Sequence, residues 1–140
     1  MEAPLLDLSY LYEVSGNDPK YVYDIILLFL ENVPDQIIKL EKLVNSDADL
    51  LVIQKQAHSL KSSVLFVKIR GLFDCFYGIE MLARQEIQNI QQKGSDRERE
   101  TATRADMRVF IAKILKTYEE VTPLLQAETE KNDPLKATTA

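Results

Sequence analysis

His58 is the only histidine in this 140-residue chain. It stands in the stretch QAHSLKSSVLF, with Lys61 three residues on and Ser62 four residues on. On a helix those two are its neighbours one turn away. A neutral imidazole is a good nucleophile near pH 7, because an unperturbed ring has a pKa of about 6.5. A phosphoryl group arriving on such a ring brings dianionic charge, and a lysine one turn away can stabilise that charge during transfer. Small residues beside the histidine leave room for another protein's active site to approach. An exposed helical histidine is more often a bland surface residue, and periodicity cannot decide between the two readings. The chain has no glycine-rich phosphate loop and no carboxylate–histidine cluster for a metal, so no cofactor is expected and any Mg²⁺ would belong to a partner.

The elements that must position these residues are helices. Only four glycines and five prolines argue against a turn-rich sandwich or barrel, and no strand-like alternation of useful length is present. Asp7 reads as the cap of a short first helix over LSYLYEV, ended by Gly16-Asn17. Asp18-Pro19 opens the next, with an apolar stripe at Val22, Ile26, Phe29, Val33, Ile37, Leu40 and Val44. Pro34 should kink that helix without breaking it, since the stripe continues in phase. The turn NSDAD, capped by Ser46 or Asp47, leads to a third helix with Leu50, Ile53, Ala57, Leu60, Val64 and Val67 on one face. After Gly71 a fourth carries Leu72, Phe76, Ile79, Ala83, Ile87 and Ile90. Gly94 ends it, and Ser95 with Glu98 fits a capping box opening the last helix, which buries Met107, Ile111, Ile114, Tyr118, Val121 and Leu125. Leu5, Leu6 and Leu8 are expected to cover one end of the assembly.

Four long amphipathic helices with short connections predict an all-α protein: an antiparallel up-down four-helix bundle preceded by a short N-terminal helix. The expected domain spans residues 1–128, followed by a polar, disordered tail over 129–140. At about 100° per residue, His58 falls roughly 120° from the apolar seam of its helix, at the edge of the exposed face. Leu51, Lys55, Lys61, Ser62 and Leu65 share that side.

Apolar residues make up 46% and charged residues 28%, ordinary for a folded domain. A net charge of −5 argues against nucleic-acid binding, which needs a basic stripe. The longest apolar run, IILLFL, is far below membrane-spanning length. The opening MEAPLLDLSY lacks a basic n-region and its apolar stretch is too short for a signal peptide, so a cytoplasmic location is expected. The lone Cys75 cannot form an internal disulfide and reads as a core residue.

His58-Ser59-Leu60-Lys61-Ser62-Ser63 resembles the H-x-L-K-G-S-S/A motif of the histidine-containing phosphotransfer (HPt) family. The opening DLSYLYEVSGNDPKYVYDIILLFLENVPDQIIKL is similar to that family's first two helices, and GLFDCFYGIEMLAR to its third bundle helix; about 120 residues are covered. The resemblance implies a monomeric phosphocarrier without kinase activity. It would accept a phosphoryl group on Nε2 of His58 and exchange it with the aspartate of a response-regulator receiver domain in a two-component phosphorelay fed by a sensor or hybrid histidine kinase. It implies phosphoryl stabilisation by Lys61, orientation of the imidazole by Glu80 and a basic contact from Arg84. Glu80 and Arg84 also fit a plain exposed i,i+4 ion pair. Tyr12, Leu51, Lys55, Ser62 and Leu65 are the expected receiver contacts. Two departures stand out: Ser62 and Lys68 replace glycines of the family pattern. A non-catalytic helical adaptor, or the dimerisation module of a sensor kinase, are the competing expectations.

Overall fold

The computed structural model describes residues 3–137. The protein is all-α apart from one short strand pair. In chain order the elements are β1 (Leu6–Asp7), α1 (Ser9–Val14), α2 (Pro19–Asn45), α3 (Leu50–Ser63), β2 (Lys68–Ile69), α4 (Leu72–Lys93), α5 (Arg97–Lys131) and α6 (Pro134–Ala137). Helix α2 packs on α3, α3 on α4, α4 on α5, and α5 returns to α2. All seven stripe residues of α2 from Val22 to Val44 are buried, together with Leu50, Ile53, Ala57 and Leu60 of α3. From α4 come Leu72, Phe76, Ile79 and Ala83, and from α5 Met107, Ile111, Ile114, Val121 and Leu125. Ile87, Ile90 and Tyr118, expected in the same stripes, pack against the core from its edge.

Local signals set most of the boundaries. Gly16 and Asn17 take φ values of 65° and 61°, the left-handed conformation that stops α1. The Asp18 carboxylate then accepts the Lys20 N–H at 3.1 Å, and Pro19 begins α2. Helix α2 runs unbroken through Pro34.

Three caps differ from expectation. The cap of α3 is Asp49, accepting from the Leu51 N–H at 2.9 Å, rather than Ser46 or Asp47. That of α5 is Asp96, accepting from Arg99 N–H at 3.1 Å, rather than Ser95. In both turns several neighbouring residues have side chains able to cap. Helix α1 starts two residues after Asp7, whose carboxylate instead accepts the Ser9 N–H in a turn.

Helix α3 stops at Ser63, before the expected Val64 and Val67, yet both valines are buried. They sit in a loop that leads into β2, which pairs antiparallel with β1 in the register Leu6↔Ile69 and Asp7↔Lys68. Two residues per strand are too few to leave a period-2 signature. Leu8 is buried and Leu5 and Leu6 pack against the core at this end.

The segment expected as a disordered tail from residue 129 is helical to Lys131, and again over Pro134–Ala137. Its anchor is Asn132, a buried residue whose side-chain N–H groups donate to Tyr12 Oη and to the Glu128 carbonyl, each at 2.9 Å. Residues 138–140 of that expectation lie outside the described residues. Among the described residues, no helix is long and apolar enough to cross a membrane.

Candidate functional site

Helix geometry puts His58 on the solvent side of α3, and the structure adds what lies opposite. Helix α4 lies along α3 and presents Glu80, whose side chain is 1% exposed against 60% for His58. One Glu80 carboxylate serves both residues of the motif. Its Oε2 lies 2.5 Å from His58 Nδ1, and its Oε1 accepts from Lys61 Nζ at 2.9 Å.

Burial pushes the Glu80 carboxyl up, but the hydrogen bonds and charges of Lys61 and His58 outweigh it and hold it below its ordinary value. The group is therefore ionised at neutral pH and can only accept hydrogen bonds. That assigns the proton of the facing ring nitrogen: Nδ1 of His58 carries N–H and donates to Glu80. In the neutral ring the lone pair is then on Nε2, the nitrogen on the exposed side of the pair.

Lys61 is only 20% exposed, so its stem lies along the α3–α4 seam and its ammonium sits between protein groups. Besides Glu80 it meets two aromatic faces of α4, with Nζ 5.9 Å from the Phe73 ring centre and 5.3 Å from that of Tyr77. These rings were missed in the sequence. Phe73, Tyr77 and Glu80 follow one another at i, i+4 and i+7 along the edge of α4, and that spacing was the available signal.

Ser62, where the resemblance leads one to expect glycine, is exposed, and its hydroxyl donates back to the His58 carbonyl at 3.3 Å. Its neighbour Ser63 does the same to Ser59 at 3.1 Å. A serine that folds onto its own helix in this way projects little into the space in front of His58. Lys68, the other position where the resemblance leads one to expect glycine, is a β2 residue without positive φ; the left-handed turn falls on Gly71, φ 82°. The Lys68 ammonium rests 5.0 Å from the Tyr10 ring centre, and Tyr10 stacks on Phe66.

The remaining expected residues divide. Leu51 and Lys55 are exposed on α3, and Leu65 is exposed in the loop after it. Arg84 does not pair with Glu80, whose two oxygens meet His58 and Lys61; the Arg84 Nη1 lies 3.8 Å from Met81 Sδ. Tyr12 is half-buried and donates to Glu128 Oε2 at 2.9 Å, so its hydroxyl ties α1 to the end of α5. Cys75 is buried, and burial pushes its thiol up, which keeps it protonated and unreactive. Among the described residues, no group of three or more His, Cys, Asp or Glu could hold a metal ion.

A second buried carboxylate, Glu86, lies two turns further along α4 and binds Arg99 of α5 through Nε; Arg99 also donates to the Gly94 carbonyl at 2.8 Å. It fixes the α4–α5 connection. No family model, no curated protein and no solved structure matches the chain.

Proposed function

We propose that this protein is a phosphocarrier that accepts a phosphoryl group on Nε2 of His58 and exchanges it with the aspartate of a receiver domain. The observation that carries the reading is the shared carboxylate. Glu80 holds Nδ1–H at 2.5 Å and leaves the Nε2 lone pair on the exposed side, with a lysine on the same carboxylate at 2.9 Å. In the transfer, the Nε2 lone pair attacks the phosphorus of the aspartyl phosphate. The Nε2–P bond forms, the P–O bond breaks, and the aspartate carboxylate leaves with its electron pair. Nδ1 keeps its proton, and the positive charge gained by the ring faces Glu80. The reverse step passes the group to another receiver. Lys61 faces the developing phosphoryl charge from one turn away on the same helix.

The packing cycle α2–α3–α4–α5 supports reading the fold as an antiparallel up-down four-helix bundle, the arrangement of the family that the motif resembles. The protein acts as a cytoplasmic monomer, takes its phosphoryl group from receivers served by sensor or hybrid kinases, and needs no cofactor of its own. Exposed Leu51, Leu65, Phe66, Phe73 and Tyr77 supply apolar contact area for the receiver near His58.

The test is incubation with phosphorylated receiver domains. An acid-labile, base-stable phosphate on the protein that is lost in His58→Gln supports the carrier. No transfer from any receiver in a broad panel puts the non-catalytic adaptor ahead, and a dimeric scattering mass favours a kinase dimerisation module.

A further inference from the structure

Lys61 sits in the last turn of α3, and its ammonium crosses from there to Glu80 of α4. What lies on that path is the ring pair Phe73 and Tyr77, one turn apart, with Nζ within 6 Å of both centres. Both rings are partly exposed, 39% for Phe73 and 46% for Tyr77.

We propose that Phe73 and Tyr77 are positioning residues for Lys61: they hold its ammonium on the α4 side, beside Glu80 and one turn from His58. The rings attract the cation through their faces and hydrogen-bond none of its three protons strongly. One proton goes to Glu80 Oε1. The others stay available to a tetrahedral anion on the neighbouring turn, and the ammonium reaches it already ordered and partly stripped of water. A lysine on a solvated face would have to give up rotamer freedom and hydration at the moment of transfer. The inference rests on the phosphotransfer reading for its kinetic consequence and on geometry alone for the placement of Lys61.

Two measurements separate those parts. The first is NMR of the unphosphorylated protein. The Lys61 Hε protons should carry an upfield ring-current shift that disappears in Phe73→Leu/Tyr77→Leu and returns when Tyr77→Phe replaces Tyr77→Leu. A Lys61 shift that is unchanged in the double leucine variant overturns the placement, whatever the protein does with phosphate. The second is the rate at which His58 is labelled by phosphoramidate, a small donor whose P–N bond breaks with loss of ammonia as the Nε2–P bond forms. The double leucine variant should be slower by about 5-fold, the equivalent of one exposed cation–π contact at tenfold per 1.36 kcal/mol. In a Lys61→Ala background the same ring substitutions should change the rate less than about 1.5-fold, since the rings act through Lys61. A full loss in that background shows that they act by another route and overturns the proposal. Labelling by phosphoramidate without transfer from any receiver would refute the carrier reading and leave the positioning result standing.

Discussion

Glu80 of α4 and His58 of α3 stand 22 positions apart in the chain, and a single 2.5 Å contact from Oε2 to Nδ1 decides which nitrogen of the only imidazole faces outward. Removing the carboxylate should release that choice. In Glu80→Ala the neutral ring is expected to exchange between both tautomers, seen as averaging of its two ¹⁵N shifts, whereas in the native protein Nε2 keeps the shift of an unprotonated nitrogen. Labelling of His58 should slow in parallel, because the reactive tautomer becomes only one of two. A native protein whose two nitrogens are already averaged would contradict the assignment.

The same carboxyl makes stability depend on acid. Folded Glu80 binds its proton more weakly than an ordinary carboxyl of pKa 4.5, because Lys61 and His58 outweigh its burial. The unfolded chain therefore takes up this proton first as pH falls. The stabilisation from Glu80 is complete above about pH 5 and is lost progressively as pH falls through the folded value. Urea midpoints measured from pH 7 to pH 3 should fall less steeply for Glu80→Gln than for the native protein. Parallel curves would show that Glu80 is not the titrating group.

Arg99 and Glu86 form the other buried pair, with Glu86 1% and Arg99 25% exposed. Arg99→Ala leaves a carboxylate buried without its cation and should destabilise by about 3 kcal/mol, the low end for such pairs because Arg99 is partly in water. Replacing both with leucine should recover most of that loss. Chemical denaturation of the single and double variants checks it, and the phosphoryl labelling proposed for His58 should be unaffected in the double variant.

Gly78 lies in the interior of α4, where alanine normally favours a helix by about 1 kcal/mol. Here a Cβ would meet the Phe110 ring of α5 at 2.5 to 2.9 Å. Gly78→Ala should therefore destabilise by about 1–3 kcal/mol. In a Phe110→Ala background the sign should reverse, to a gain of up to about 1 kcal/mol. Thermal melts of the four combinations decide between close approach and simple helix preference.

The parts of this architecture that were legible in the sequence are those with a period. Val22 to Val44 repeat every three or four residues over a helix long enough to be unambiguous, and all seven are buried. His58 was legible as an exposed position for the same reason. Caps were harder: Ser46, Asp47 and Asp49 offer equivalent chemistry within four residues, and the carboxylate that caps the helix is that of Asp49. Glu80 was read through family resemblance, and otherwise as half of a surface pair with Arg84. Its burial depends on partners 19 and 22 positions away on another helix, a distance no local pattern reports. The same holds for Tyr12, whose partners Glu128 and Asn132 are 116 and 120 residues distant. The β1–β2 pair escaped because two residues carry no alternation.

Arg104 of α5 reaches back to the turn between α2 and α3 and donates to the carbonyls of Ser46 at 3.3 Å and Ala48 at 2.6 Å. The Tyr12–Glu128 bond at the end of the same helix likewise holds an element made long before it. By contrast, His58, Lys61, Phe73, Tyr77 and Glu80 fall within 23 consecutive residues. The His58 cluster therefore emerges from the ribosome whole, while the fasteners of the α2–α3 turn and of α1 arrive only with the last long helix. Contacts inside the cluster span at most 22 positions, and those that close the molecule around it span 56 to 120; closing the longer loops costs more chain entropy.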